Sequence, residues 1–272
     1  MNSSSPAAVI TGSTRGLGLA LAEELLKLGC RVTVSGRTPE AVRSAAARLG
    51  AYGQRVQGLA CDVTDPRQVQ ALWEQAARHW GRVDIWINNA GIPQDYLPAW
   101  ELEAEDAARL IHTNLLGTIH GSGTAMRGML AQGGGAIYNL EGWGSDGGRR
   151  AGLTVYGTSK CAIRYFSLAL ADEAAGTPVL VGTLSPGMMV TDFLTGPMGR
   201  MAAGEARRLR RIVNILGDRP GTVARHLAPR ILANRRHRAR LAWLTGVGVM
   251  GRFLTAGLRR RDLFAGPSGA PR

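Results

Sequence analysis

Short apolar runs alternate with longer amphipathic stretches along nearly the whole chain. The short runs predict buried strands, and apolar residues that recur every three or four positions predict helices. The predicted strands are 7–10, 31–35, 56–61, 83–87, 136–140, 179–184 and 241–245. The predicted helices begin near residue 17 and cover 39–49, 66–80, 104–131, the segment around Tyr156, and 220–234. Such alternation is typical of a parallel sheet covered on both faces, so we predict one doubly wound α/β domain of about seven strands.

A glycine-rich loop follows the first predicted strand and opens a helix. Glycines at 12, 16 and 18 permit a tight turn and let backbone N–H groups approach a pyrophosphate. The spacing G-x-x-x-G-x-G is weak evidence alone, but its place between a strand and an amphipathic helix strengthens it. We therefore predict a Rossmann-type cofactor site that includes Gly12, Ser13, Thr14, Arg15, Gly16, Leu17 and Gly18.

The end of the second strand indicates which dinucleotide binds. An acidic residue there would bind a ribose 2′-hydroxyl, whereas an arginine suits a 2′-phosphate. The strand ends in Gly36 and Arg37, and the glycine loop adds Arg15. A guanidinium fits phosphate geometry well, so we expect NADP(H) to be preferred over NAD(H). The alternative is that both arginines are ordinary surface residues.

Tyr156 and Lys160 are four residues apart on a predicted helix, so their side chains share one face. A neighbouring ammonium favours the phenolate, which predicts a lowered pKa for the Tyr156 phenol. A tyrosine so placed can exchange a proton with an oxygen whose carbon exchanges hydride with a cofactor. The alternative is a solvated surface pair.

These signals together resemble the short-chain dehydrogenase/reductase family over nearly the whole chain. The motifs are T-G-x-x-x-G-x-G at 11–18, N-N-A-G at 88–91, Y-x-x-x-K at 156–160 and S-P-G at 185–187. The resemblance implies catalytic roles for Tyr156, Lys160 and Asn114, with Asn114 supporting a proton-relay water. It also implies that the cofactor is bound by Tyr156 and Lys160, and by Asp62, Val63, Asn89, Ala90, Gly91, Pro186, Gly187 and Thr191.

The chain departs from that family at one catalytic position. The family has N-x-S-S after the fifth strand, and its second serine polarises the substrate oxygen. This chain has Asn139-Leu140-Glu141-Gly142, so glycine stands at that position. The nearest hydroxyl is Ser145, in a glycine-rich loop, and we expect it to replace the missing serine. The alternative is that Ser145 only fills the loop and that catalysis is weak or absent.

Around this departure the chain resembles the chlorophyll(ide) b reductase subfamily. The similar segments are 139–148, 155–164, 184–192 and 213–230. The resemblance implies NADPH-dependent reduction of the C7 formyl group of chlorophyll b to a hydroxymethyl group. Two alternatives stay open: a general lipophilic carbonyl reductase or alcohol dehydrogenase, and a catalytically silent NADP-binding protein.

The net charge of +13 lies almost entirely in the C-terminal quarter, where residues 200–272 carry 17 arginines and three acidic residues. We expect residues 1–264 to form the domain, 246–264 to be a basic amphipathic segment, and 265–272 to be a disordered tail. Within the domain we expect 192–215 to form a substrate loop, and the alternative for this segment is an amphipathic helix packed on the core. The basic segment could contact an anionic membrane surface. Its alternatives are packing over the substrate cleft and packing across the interface of a homodimer or homotetramer. A nucleic-acid patch at 235–240 is the weaker hypothesis, because that stretch lacks interleaved aromatic residues.

The three cysteines, Cys30, Cys61 and Cys161, are widely spaced and suggest neither a disulfide framework nor a zinc site. The first residues lack the basic region of a signal peptide. We therefore expect a cytoplasmic protein without a bound metal, in peripheral contact with a membrane at most.

Overall fold

The computed structural model describes residues 5–256 and 261–265, and these contain one seven-stranded parallel sheet. The strand order is β3-β2-β1-β4-β5-β6-β7, which confirms the predicted doubly wound α/β fold. The strands are β1 Ala7–Ile10, β2 Arg31–Gly36, β3 Val56–Ala60, β4 Ile85–Asn88, β5 Gly135–Leu140, β6 Val179–Ser185 and β7 Arg240–Ala242.

Ten α-helices connect or cover these strands in the part of the chain that the structure describes. They are α1 Gly16–Lys27, α2 Pro39–Arg48, α3 Pro66–Trp80, α4 Ala104–Ile111, α5 Gly117–Ala131, α6 Thr154–Glu173, α7 Asp192–Met198, α8 Ala203–Leu216, α9 Pro220–Ala233 and α10 Gly246–Thr255. Apolar residues of α1, α2 and α9 form a core on one face of the sheet. Those of α3 and α5 form the core on the other face, and α6 packs beside β6. Because both faces are covered, the inner strands β1 and β4 are wholly buried.

Three segments differ from the sequence-based expectations. The predicted helix 104–131 is interrupted by a wide π-helical turn at His112–Leu116. The expected loop at 192–215 is largely helical, as α7 and α8. The last strand is shorter than predicted, because after Ala242 the chain turns away into α10. All other predicted elements are present, with small differences at their ends.

The four arginines of the 235–240 stretch are exposed, and three of them bind other groups of the protein. Arg238 forms an ion pair with Asp172 of α6, and Arg240 binds the buried Glu141 at 2.7 Å. Arg235 donates to the backbone carbonyls of Leu232 and Asn234. With these guanidinium groups engaged by the fold, the stretch is poorly arranged to bind nucleic-acid phosphates.

Within the described ranges, every helix is too short or too polar to cross a lipid bilayer. Most of the expected tail, 266–272, lies outside the described residues, as do Arg259 and Arg260.

Gly128 provides a test of how closely α5 packs on α3. A Cβ atom at this position would lie 2.0 Å from the Trp73 indole, whereas one at Gly123 on the same helix would meet nothing closer than 3.6 Å. Gly128→Ala should therefore lower the free energy of unfolding by roughly 1–3 kcal/mol through overpacking. Gly123→Ala should stabilise α5 by up to about 1 kcal/mol. Urea denaturation measures both, and equal effects of the two variants would contradict this packing.

Candidate active site

The glycine-rich loop and the N-N-A-G motif form one hydrogen-bonded unit at the carboxyl ends of β1 and β4. The Asn89 side chain donates to the carbonyls of Thr11 and Gly12, both at 2.9 Å. In return, the Thr11 hydroxyl accepts the N–H groups of Asn89 and Ala90 at 3.1 Å. The two motifs, 77 residues apart in sequence, are thereby held in direct contact.

The glycines of this unit leave a close-fitting cradle for a ligand. A Cβ at Gly12, where φ is +60°, would lie 2.7 Å from the Ala90 backbone, and one at Gly18 would lie 2.5 Å from Asn89. No side chain caps the first turn of α1. Its N–H groups are therefore available to a pyrophosphate, which fits the dinucleotide predicted from the sequence.

Several other predicted cofactor residues follow neighbouring strands at the same edge of the sheet. Asp62 and Val63 follow β3, and Arg37 follows β2 with an exposed side chain. Arg15 forms an exposed ion pair with Asp192 of α7 at 3.5 Å. Thr191 lies over the glycine loop, since a Cβ at Gly16 would be 3.7 Å from its methyl group. The structure therefore brings the ends of four strands together on one side of the sheet.

Asn114 lies buried in the π-helical turn between α4 and α5. Its side chain accepts the N–H of Ile92 at 2.8 Å and donates to the carbonyl of Ile92 at 3.1 Å. Wide turns of this kind often mark functional sites. The paired bonds fix the loop that follows the N-N-A-G motif.

Tyr156 and Lys160 are both buried on α6, close to the carboxyl end of β5. The Lys160 ammonium donates to the carbonyl of Leu140 at 3.0 Å and lies 5.8 Å from the centroid of the Tyr156 ring. The backbone N–H of Tyr156 donates to Gln94 at 2.7 Å. The phenol is therefore fixed by both its own helix and the loop after β4.

Burial controls the acidity of both groups. It raises the pKa of the Tyr156 phenol well above its usual range, and the nearby Tyr96 adds to that effect. The pKa shift of Tyr156 is opposite to the lowering predicted from the sequence, and its main cause is desolvation of the phenolate. Burial also lowers the pKa of Lys160 to about 8, although the charge of Glu141 opposes this shift. Tyr156 consequently keeps its proton at neutral pH, the form in which a phenol can act as an acid.

Gly142, at the position of the family's serine, lies directly against the phenol. A Cβ at Gly142 would be 2.4 Å from the Tyr156 hydroxyl and 3.1 Å from the Lys160 side chain. Ser145 is buried beside it, accepts the N–H of Gly142 at 3.0 Å, and donates to the carbonyl of Lys160 at 3.1 Å. The single proton of the Ser145 hydroxyl is thus used within the protein, and its catalytic role stays a prediction.

Gln94 and Glu141 belong to the site although the sequence analysis assigned them no role. Gln94 is buried, accepts the Tyr156 N–H, and donates to the carbonyl of Gly152 at 3.2 Å. No sequence signal could have identified it, because its partners are backbone groups far along the chain. Glu141 has such a signal: it is an acidic residue at the end of a buried strand.

The Glu141 carboxylate is almost fully buried and is surrounded by donors. It accepts the Thr183 hydroxyl at 2.9 Å and lies 2.7 Å from Arg240 and 3.5 Å from Arg164. These contacts compensate its charge and join β5, β6, β7 and α6 directly behind Lys160.

Phe193 extends the site toward solvent. Its ring centroid lies 5.8 Å from that of Tyr156 in an edge-on arrangement. Arg200, in the loop after α7, forms an ion pair with Asp95. The start of the expected substrate loop therefore contacts both the phenol and the loop after β4.

Two plant proteins are similar to most of this chain. "Probable chlorophyll(ide) b reductase NYC1, chloroplastic" from Arabidopsis thaliana is 36% identical over 94% of the chain and 54% of its own length. "Chlorophyll(ide) b reductase NOL, chloroplastic" from the same plant is 36% identical over 83% of the chain and 65% of its own length. The chain thus spans about half the length of the first and two thirds of the second. Both names state a chloroplast location, so the cytoplasmic location expected from the sequence is wrong on this comparison.

Among solved structures, a variant of actinorhodin polyketide ketoreductase with NADPH is similar, with 29% identity and a TM-score of 0.80. The alignment covers 90% of this chain and 97% of the ketoreductase. The family model for short chain dehydrogenases matches residues 6–197, which include the cofactor cradle, Asn114, Tyr156 and Lys160. The chain belongs to the short-chain dehydrogenase family and is an oxidoreductase of that family.

Proposed function

We propose that the protein is an NADPH-dependent reductase of a formyl or other carbonyl group, and that its substrate is the C7 formyl group of chlorophyll(ide) b or of a similar tetrapyrrole. The observation that carries the proposal is the Tyr156 phenol, which is buried beside Lys160 and against the glycine at position 142. The similarity to the plant reductases supports the choice of substrate.

NADPH bound in the cradle of the glycine loop would supply a hydride to the carbonyl carbon. Tyr156 donates its phenolic proton to the carbonyl oxygen, so that the product is an alcohol. Lys160 stabilises the phenolate that remains, because its ammonium is held on the same helix face. Asn114 fixes the loop at Ile92 and supports the water that returns a proton to Tyr156.

We also propose which part of the cofactor each predicted residue binds. The cradle of Gly12, Gly16 and Gly18 binds the pyrophosphate at the start of α1. Arg37 and Arg15 bind the 2′-phosphate, which favours NADP(H) over NAD(H). The other assigned contacts are Ser13, Thr14, Leu17, Asp62, Val63, Asn89, Ala90, Gly91, Tyr156, Lys160, Pro186, Gly187 and Thr191.

Large exposed aromatic side chains support a flat apolar substrate. Trp143 follows Gly142, Phe193 contacts Tyr156, and Trp100 is 86% exposed on the loop after β4. Glycine at 142 lets the loop approach the phenol closely, because a Cβ there would lie 2.4 Å from the Tyr156 hydroxyl. We assign 192–215 as the substrate-binding segment, since Phe193 and the arginines of α8 could bind a ring system bearing carboxylates.

The general lipophilic carbonyl reductase or alcohol dehydrogenase is the second candidate, since the phenol and ammonium act on any carbonyl that reaches them. The catalytically silent NADP-binding protein is not retained as a candidate, because the chain belongs to an oxidoreductase family and carries both Tyr156 and Lys160. We further propose a homodimer or homotetramer. Tyr165 and Leu168 on α6 and Leu130 on α5 are exposed apolar side chains that a second subunit would cover.

The first test of the proposed chemistry is Tyr156→Phe. It removes the proton donor and should lower kcat by the roughly 10²–10⁴-fold typical of a general acid, with NADPH affinity nearly unchanged. Tyr52→Phe is the control, because Tyr52 lies just before the amino-terminal end of β3, at the edge of the sheet opposite the site. Steady-state kinetics and NADPH fluorescence titration measure both variants. Retained turnover in Tyr156→Phe would remove Tyr156 from the mechanism.

Arg37→Asp tests the choice of cofactor. Replacing a phosphate partner by a hydroxyl acceptor should raise KM for NADPH by roughly 10–100-fold, the range for losing a hydrogen bond to a charged group, and should improve the use of NADH. Arg48→Asp, an exposed arginine of α2, is the control for the charge change alone. An unchanged ratio of kcat/KM for the two cofactors would show that Arg37 does not face the 2′-position.

Ser145→Ala tests whether the Ser145 hydroxyl positions the catalytic groups. The variant leaves the Gly142 N–H without its acceptor and the Lys160 carbonyl without its donor, so kcat should fall by about 10²-fold through misplacement while KM changes little. Thr158→Ala, which removes an exposed hydroxyl of α6, should leave kcat unchanged. The pH dependence of kcat distinguishes positioning from general destabilisation, since only positioning shifts the alkaline limb set by Lys160. Near-normal kcat in Ser145→Ala would reduce the catalytic set to Asn114, Tyr156 and Lys160.

A further inference from the structure

Helix α10, Gly246–Thr255, exposes its apolar side chains and turns its charged side chain toward the protein. A helix that packs on a protein core has the opposite orientation. Val247, Met250, Phe253 and Leu254 are 84%, 65%, 51% and 78% exposed. None of the ten residues of this helix is buried. We call these four side chains the apolar face of α10.

A buried carboxylate holds the opposite side of the helix. Asp218, in the short connection between α8 and α9, accepts from Arg252 of α10, from Arg261 after α10, and from the Trp243 indole before it, at 2.6–2.7 Å. Arg252 also donates to the carbonyl of Leu216 at 3.1 Å. Three donors from the C-terminal segment thus converge on one acid.

Helix geometry places Arg252 roughly 140–160° around the axis from Val247, Met250 and Leu254, with Phe253 at the edge of their face. Anchoring Arg252 to Asp218 therefore turns the apolar face away from the protein. A contiguous apolar surface kept in this orientation indicates a binding site for something apolar.

We infer that the apolar face of α10 docks the protein on an anionic lipid surface. Charge supports this occupant: α8, whose last residue Leu216 accepts from Arg252 of α10, carries four exposed arginines one to three turns earlier, Arg207, Arg208, Arg210 and Arg211. Apolar side chains beside several arginines are the combination that binds anionic bilayers from one side. A second copy of this chain would bring two strongly basic surfaces together and is disfavoured by that repulsion.

The dimensions of α10 fit a helix lying on a membrane. Its ten residues span about 15 Å, half of the roughly 30 Å of a hydrocarbon core. The residues leading into α10 also lie near the candidate active site, because a Cβ at Gly187 would be 3.5 Å from Leu244. Docking would therefore place the substrate opening close to a source of lipophilic molecules. The inference does not depend on which carbonyl compound is reduced.

Co-sedimentation with vesicles tests this inference. The purified chain is mixed with vesicles of phosphatidylcholine alone, or of phosphatidylcholine with phosphatidylglycerol, and the bound fraction is measured at low and high salt. We expect binding to the anionic vesicles, weakened by salt, and little binding to the neutral ones. Met250→Gln/Leu254→Gln should lower the partition coefficient at least tenfold. Arg207→Gln/Arg211→Gln should lower it by about 30-fold.

Matched control variants test whether a loss of vesicle binding is specific to the apolar face of α10 and the arginines of α8. Leu28→Gln replaces an exposed leucine elsewhere, and Arg48→Gln/Arg78→Gln removes two exposed arginines from α2 and α3 at the other edge of the sheet. Both should bind vesicles like the original chain, and all variants should keep its Tm, because each substituted side chain is exposed. The inference is overturned if anionic vesicles do not bind the chain, or if the α10 variants bind as well as the controls. It is also overturned if sedimentation shows that the α10 variants lose self-association instead.

Discussion

The hydrogen bond from the Lys160 ammonium to the Leu140 carbonyl ties the helix that carries the phenol to the sheet that carries the cofactor cradle. A buried ammonium needs a partner, because desolvation otherwise favours its neutral form. Leu140 supplies a backbone oxygen, and Glu141 adds a compensating charge one residue later. The end of β5 therefore determines both where Lys160 lies and how much of its charge it retains.

The same few residues support the rest of the site. Glu141 joins β5 to β6, β7 and α6 through Thr183, Arg240 and Arg164, and Ser145 joins the following loop to the backbone of Lys160. At the proposed cofactor site, Asn89 also joins two separate segments, because its side chain donates to the carbonyls of the glycine loop. Ser145 and Asn89 bond backbone atoms that are distant in sequence, whereas Glu141 bonds side chains of other elements. The geometry of the reacting groups is thus set by polar contacts within a largely apolar core.

The sequence predicted the fold well, because buried parallel strands give continuous apolar runs and the helices between them repeat at helical spacing. It also indicated the motif residues of the site, since glycines at a tight turn and Tyr156 with Lys160 leave local patterns. It did not indicate Gln94, whose partners are backbone groups set by tertiary structure. The raised pKa of Tyr156 was missed for a related reason, because burial depends on the packed structure and not on the four-residue spacing. The orientation of α10, with its apolar side exposed, depends on Asp218, about thirty residues earlier in the chain. The spacing of apolar residues in α10 could not predict that contact.

Glycine at position 142 also affects how this site could change by mutation. A serine introduced there alone would put its Cβ 2.4 Å from the Tyr156 hydroxyl, so the phenol would have to move before the new hydroxyl could act. The Gly142 N–H is meanwhile bound by Ser145, which keeps the loop in its present path. The family's usual serine and the arrangement seen here are therefore separated by a coupled change of loop and tyrosine, and a single substitution does not interconvert them. A search that demands a serine at position 142 would reject this chain as an enzyme, even though its phenol and ammonium are in place.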